Sequence, residues 1–340
     1  MATILFVTKD PASRIAIPVV ARLTALGHAT PIIAEGLSSD FWKKEGVPLY
    51  FEGSRIPHKE ERQLDVVQVL DDLTPDAIVV CESRPANLEE RFAQIGNRKG
   101  IPVIFLEDFW AGFERLDARP DLICTIDSYA CALVQERRED VRIRDVGNPF
   151  ISESAPGEVP SDLLRVVNEW KEENGLAVVY IGGETSSDLA LCLESLRKTK
   201  GFLIPRLHPK HSITTLQNGI TRGEMHRSLI AESGIKTLWL DSYQTEEVMQ
   251  AGDIVCSGLS LSLITAATLR KKTVVLWTPE VQSLLARVVG LSASPFVELG
   301  IAVEIRGPTN FASIPFSNVS NSMFKPYRPE QVVNEILHIL

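Results

Sequence analysis

The chain lacks the glycine signatures that mark the common nucleotide folds. Its first apolar strand, Ile4 to Thr8, runs into Lys9-Asp10-Pro11-Ala12-Ser13 without a glycine. G-x-G-x-x-G occurs nowhere, so a dinucleotide pyrophosphate lying close over that turn is disfavoured. G-x-x-x-x-G-K-[ST] is missing too, which excludes P-loop chemistry. The five cysteines (Cys81, Cys124, Cys131, Cys192 and Cys256) are dispersed, and no C-x-x-C pair exists. Neither a zinc site nor a disulfide frame is expected from them. Positive charge is not in surplus: 35 Lys and Arg stand against 44 Asp and Glu, a net charge of −9. That argues against a nucleic-acid or anionic-membrane protein with a broad basic surface, while leaving room for a local basic pocket. No apolar run reaches the length of a membrane span. The first residues pass directly into a strand with no basic leader, so a cytoplasmic protein is expected.

What is present is ordinary globular composition, 44% hydrophobic and 23% charged over 340 residues, a length that favours two domains. Fully apolar strands alternate with helices of 3.6 period. Ile4–Thr8 is followed by a helix from Pro11 to Leu26, and Gly27 ends that helix. Strands are expected at 29–35, 77–81, 102–106, 122–126 and 142–146, with helices at 63–73 and 86–98 and from Ser128. Such alternation predicts an α/β protein whose parallel sheet is covered on both faces. Gly147-Asn148-Pro149 breaks the series, and Ser152 to Pro160 reads as a linker. A second series starts with a helix from Asp162 to Asn174 and a strand from Ala177 to Ile181. It runs to Ile305, is followed by a Ser/Asn/Pro-rich stretch, and ends in a helix from Pro329. Two Rossmann-like doubly wound domains are therefore expected, residues 1–150 and 151–340, facing a cleft between two sets of strand carboxyl ends.

The stretch from Glu246 to Pro279 carries the most pattern. It reads helix, strand, loop, helix, strand, with Gly252 expected as a left-handed helix cap. Ser257-Gly258-Leu259-Ser260 turns into a helix start that carries Ser262, an anion site in waiting or simply a βαβ turn capped by hydroxyls. Arg270-Lys271-Lys272 is expected to suit the negative end of that helix. Upstream, Gly182-Gly183-Glu184-Thr185 follows a strand, where two glycines let a ligand approach the backbone. Arg206, His208, Lys210 and His211 fall within six residues at another strand end, a cluster suited to diphosphate through charge-assisted bonds. Metal binding by His208 and His211 would lack a nearby thiolate or carboxylate, so no metal is expected.

On these residues the chain resembles the glycosyltransferase-B (GT-B) superfamily, in which two Rossmann-like domains face each other and the second holds the donor nucleotide. Arg206-Leu207-His208-Pro209, followed by Asp253 to Ala267, resembles the His-Pro motif and later serine loop of bacterial sialyl-, Kdo- and polyol-phosphate transferases. Nucleotide-sugar 2-epimerases share the layout. The resemblance implies that His208 meets a donor phosphate and that Ser257, Gly258, Ser260 and Ser262 supply the cradle. Many relatives carry an acid in the following helix, where this chain has Thr265. A pair of glutamates eight residues apart in retaining enzymes would fall at Ser257 and Thr265, so a retaining mechanism is disfavoured. Ribose recognition would pass to Glu184 or to the loop from Asp241 to Thr245.

An inverting transfer needs a base for the acceptor hydroxyl. The first domain offers Asp10, Glu35, Glu82, Glu107 and Asp108 at strand ends, each of which could equally be a helix cap. Asp10 is the leading candidate, with Glu107 and Asp108 next, beside Phe109 and Trp110 that could stack on a sugar. The expectation is an inverting, metal-independent transferase without a cofactor. It would move a sugar from a nucleotide donor to a glycan or small-molecule acceptor in surface-polysaccharide synthesis. A 2-epimerase-like isomerase and a non-catalytic binder are the alternatives.

Overall fold

A computed structural model describes residues 1–9, 13–36, 38–53, 64–81, 88–151, 157–212, 215–216, 219–316 and 325–340, apart from the side chains of Pro209 and Lys210. It divides into two compact units. The first comprises Met1–Pro149, Val288–Gly290 and Phe324–Leu340; the second comprises Phe150–Arg287 and Leu291–Met323.

The first unit alternates strand and helix. Its elements are β1 (Ile4–Lys9), α1 (Ser13–Ala25), β2 (Ile32–Glu35), α2 (Ser38–Lys44), β3 (Phe51–Glu52), α3 (Val66–Leu73) and β4 (Ala77–Cys81), then α4 (Leu88–Lys99), β5 (Val103–Leu106), β6 (Leu122–Thr125), α5 (Ser128–Arg137) and β7 (Arg142–Asp145). The strands form one sheet in the order β3-β2-β1-β4-β5-β6-β7. All its pairings are parallel. Ile4, Phe6, Val79 and Ile104 are buried on the face that α1 covers, and side chains buried on both sheet faces explain why the strands read as unbroken apolar runs.

The second unit holds α6 (Ser161–Asn174), β8 (Leu176–Ile181), α7 (Ser187–Arg197), β9 (Gly201–Arg206), α8 (Arg222–Ser233), α9 (Thr245–Ala251) and β10 (Ile254–Ser257), then α10 (Ser262–Thr268), β11 (Lys272–Leu276), α11 (Pro279–Val289), α12 (Pro295–Glu298) and β12 (Val303–Ile305). Its sheet has the order β12-β11-β10-β8-β9, again with parallel pairings. Both sheets reverse direction once, between β1 and β4 in the first and between β8 and β10 in the second. Doubly wound folds bind ligands outside the strand carboxyl ends at that reversal. No helix among the described residues is long and apolar enough to cross a membrane.

Three expectations are corrected. The last helix, α13 (Pro329–Ile339), does not belong with the second domain. Val332, Val333 and Ile336 enter the core of the first unit, and Glu335 pairs with Arg142 and Arg144 of β7 at 2.5 and 2.6 Å. Gly252 is not a left-handed cap: its φ of −73° and ψ of 166° are extended. A glycine stands there because a Cβ would lie 2.4 Å from Val179 Cγ2 on the neighbouring strand. Lys271 does not serve its own helix either. Its Nζ donates to the carbonyls of Gln250 (2.5 Å) and Gly252 (2.9 Å), at the end of α9. The linker expected at 152–160 lies largely outside the described residues.

Candidate functional site

The reversal in the second sheet delivers two loops side by side. One leaves β8 as Gly182-Gly183-Glu184-Thr185-Ser186; the other leaves β10 as Ser257-Gly258-Leu259-Ser260. The Ser257 hydroxyl is buried and donates to the Ile181 carbonyl at 2.8 Å, tying the two strand ends together. Beneath both loops lies Asp188, at the start of α7 and wholly buried. Its Oδ1 accepts from the hydroxyls of Tyr180 (3.2 Å) and Thr185 (3.1 Å) and from the Leu189 N–H (2.9 Å). Its Oδ2 faces the glycines, so that a Cβ on Gly183 would lie 2.1 Å from it and one on Gly258 2.8 Å. Burial raises the Asp188 carboxyl from 3.8 to about 6, against the opposing pull of its hydrogen-bond donors. Only side-chain-free backbone can close over such a group.

The third strand end, β9, packs onto the same place. A Cβ on Gly182 would lie 3.1 Å from the His208 N, so the His-Pro turn and the glycine loop touch through their backbones. The His208 and His211 rings lie 5.7 Å apart, and His211 meets His226 of α8 edge to face at 5.0 Å. His211 and His226 are buried. Burial first, then His226, hold His211 down to about 3; burial and Arg222 hold His226 down to about 4. Both are neutral rings that pack the turn and carry no charge to a ligand near neutral pH. His208 is half-buried at the rim.

The other expected residues divide between the rim and the scaffold. Arg206 has its donors engaged, with Nη1 on the Leu240 carbonyl (2.7 Å) and Nη2 on the Tyr243 carbonyl (2.8 Å) and the Thr245 hydroxyl (3.3 Å). It therefore shapes the 240–245 loop. Glu184 pairs with Arg222 at 2.5 Å. Together with Thr185, Ser186, Met225 and Ser283 they line an open cavity of about 530 Å³ within the second unit. The Ser260 hydroxyl accepts from the Ser262 N–H at 3.3 Å, an arrangement that starts α10. The Lys210 side chain lies outside the described residues. Among the described residues no cluster of His, Cys, Asp and Glu is arranged to hold a metal ion.

In the first unit Asp10 and Glu82 follow the two strands of the reversal, and both lie outside the described residues. Glu107 is buried, and its Oε1 accepts from the Phe113 N–H at 3.0 Å, fixing the 3₁₀ turn Gly112–Arg115. Asp108 pairs with Arg115 at 2.7 Å, and Glu35 pairs with Lys9 at 3.6 Å. Phe109 and Trp110 are buried against each other, and the Trp110 N–H donates to Asp127 at 2.8 Å. They pack the core and present no face to a sugar, contrary to the expectation from sequence. Asp188 was the residue that sequence reasoning passed over. Its one signal was an acid placed at the start of a helix immediately after a strand–Gly-Gly turn.

No family model matches the chain, and no curated protein matches it. Solved structures do. The UDP-GlcNAc 2-epimerase of Methanocaldococcus jannaschii, in complex with UDP-GlcNAc and UDP, superposes with a TM-score of 0.64 at 14% identity, covering 99% of each chain. The UDP-GlcNAc 2-epimerase of Neisseria meningitidis, bound to UDP-GlcNAc, gives 0.63 at 12% identity, over 99% of this chain and 100% of that one. The glycotransferase of kitacinnamycin gives 0.52 at 13% identity, over 99% and 90%. The chain has the two-domain α/β fold of the GT-B type, shared by these epimerases and this transferase.

Proposed function

We propose that the protein acts on a nucleotide-linked sugar and that its reaction is an isomerisation of the 2-epimerase kind, needing no acceptor. The observation that carries this reading is the end-to-end match, across both units, with epimerases solved around UDP-GlcNAc. The second unit's loops suit the diphosphate through Ser260, whose hydroxyl accepts from the Ser262 N–H and keeps its own proton to donate, and through His208 at the rim. Gly183, Thr185 and Gly258 spend their donors on the Tyr180–Asp188 pair that holds the loops in place. Arg206 and Thr245 then serve by shaping the 240–245 loop, with Glu184 on the cavity beside it. Inverting C2 without an oxidant calls for loss of its proton as the C1–O bond to the diphosphate breaks, which leaves a C1–C2 double bond. A proton then returns to the other face of C2, and the diphosphate returns to C1. Asp10, Glu107 and Asp108 of the first unit are the candidate bases.

The test is incubation with UDP-GlcNAc in D₂O without acceptor, followed by NMR. Deuterium at C2 and appearance of the C2 epimer are expected. Intact, undeuterated substrate would overturn the reading. Inverting transfer to a glycan or small-molecule hydroxyl is the second reading, supported by the transferase match. It is distinguished by sugar loss that depends on an added acceptor. The cytoplasmic setting and a role in polysaccharide synthesis belong to the same proposal.

A further inference from the structure

Among the described residues, every hydrogen bond at Asp188 Oδ1 comes from the strand, loop and helix that border the second unit's reversal. Tyr180 donates from β8, Thr185 from the glycine loop and Leu189 from α7. The Gly183 N–H donates in turn to the Tyr180 oxygen at 3.3 Å, so the loop is held to the carboxyl through one intermediary. Among the described residues no donor meets Oδ2 in hydrogen-bond geometry, and it is the atom over which both Gly183 and Gly258 close, although the Gly258 N–H bears on the carboxyl and favours its charged form. Among the described residues the groups bearing on the carboxyl from α7, β8, β10 and the loops are Tyr180, Thr185, Leu189, Cys256 and Gly258, and none of them is a cation.

We propose that Asp188 is the positioning residue of the second unit's anion site and that it takes up a proton from solvent when a sugar-linked diphosphate binds over the two loops. The inference rests on the nucleotide-sugar reading above. Three donors on one oxygen hold the loop spacing whether or not the carboxyl is charged. A charged carboxylate beneath the loops repels arriving phosphates, whereas a neutral one does not. Burial already brings the group to about 6, so an anion overhead raises it further and draws a proton near neutral pH. The step is a simple protonation: the carboxylate and a buffer proton become the acid, and no bond to the ligand forms. By reciprocity the ligand binds more tightly as pH falls.

The experiment is titration calorimetry of the whole chain with UDP-N-acetylglucosamine, whose diester diphosphate does not titrate near neutral pH. It is run at pH 7 in buffers of different ionisation heat, with affinities measured at pH 6 and pH 8. Net proton uptake is expected, with binding roughly tenfold tighter at the lower pH, and Asp188→Asn should abolish both. Tyr180→Phe removes a donor that favours the charged form, so it should move the uptake window to higher pH. This keeps the proposal testable if the Asn variant does not fold. Binding without uptake, uptake that persists in folded Asp188→Asn, or an unmoved window in Tyr180→Phe would overturn the role of Asp188 alone. Absence of binding at every pH would instead overturn the nucleotide-sugar reading beneath it.

Discussion

The Thr265 hydroxyl donates to the Phe150 carbonyl at 3.1 Å. The side chain ties α10 to the segment that opens the second unit. Thr265→Val should therefore cost about 1 kcal/mol of stability, the ordinary value of one such hydrogen bond, and leave nucleotide affinity unchanged. Denaturant unfolding and calorimetry check the two halves separately. A large loss of affinity without loss of stability would mean that Thr265 faces the ligand.

The two glycines over Asp188 should not tolerate a methyl group. At Gly183 the added carbon would stand 2.1 Å from Oδ2 and at Gly258 2.8 Å. Strain of this kind costs about 1–3 kcal/mol, and Gly183→Ala should be the worse of the two. Because both push on one carboxyl, the double variant should lose less than the sum of the singles. Strict additivity in urea unfolding would show that the loops do not share Asp188.

Acid should destabilise the fold through the buried imidazoles. His211 is held at about 3 and His226 at about 4, against 6.5 for a free ring. Between those values the unfolded chain binds protons that the folded one refuses. Stability is complete above about pH 6.5 and is lost as pH falls toward 4. Asp188 acts in the opposite direction. Its folded value is about 6 against 3.8, so its unfavourable contribution grows as pH rises from 4 through 6 and persists above. The net loss between pH 6.5 and 4.5 should be about 2–4 kcal/mol. Asp188→Asn should make that loss steeper, and a flat profile in chemical unfolding would contradict the neutral histidine pair.

Arg206 and His208 lie two residues apart and should fail differently. Arg206 uses its planar fork on the Leu240 and Tyr243 carbonyls, a geometry lysine cannot reproduce. Arg206→Lys should loosen the 240–245 loop, seen as faster amide exchange there, with affinity falling as a consequence. His208→Ala should weaken nucleotide binding by about 1–3 kcal/mol and leave that exchange unchanged. Equal exchange in both variants would remove the distinction.

The strands were legible because burial on both faces leaves little choice of residue: Ala77–Cys81 is read from sequence to the residue. What escaped depends on partners remote in the chain. Nothing in Val332, Val333 and Ile336 says which of two apolar cores they fill. Gly252 follows a helix as a cap would, and only the approach of Val179 reveals another reason for it. The rim glycines were legible as loops that admit close approach, but the approaching group is a carboxyl of the protein itself. Phe109 and Trp110 read as a sugar platform because aromatic side chains serve both cores and sugars, and burial alone separates the two uses.

On the proposed epimerase reading, the candidate bases Asp10, Glu107 and Asp108 can be told apart by the kind of damage each variant does. Glu107 secures the Phe113 N–H, and Asp108 holds Arg115 with both side chains mostly buried. Glu107→Gln and Asp108→Asn should therefore lower stability, with turnover falling only as far as the turn at 112–115 is disturbed. Asp10 follows β1 at the first sheet's reversal, where doubly wound folds place ligand chemistry. If it is the base, Asp10→Asn should lower turnover about 10²–10⁴-fold, the range for loss of one general base. Its unfolding midpoint and its affinity for UDP-N-acetylglucosamine should stay near those of the parent. The deuterium exchange at C2 should fall by the same factor, because a base acts on proton removal itself. Full exchange with Asp10→Asn, or a loss of exchange that follows Glu107→Gln at unchanged stability, would move the role from Asp10 to Glu107.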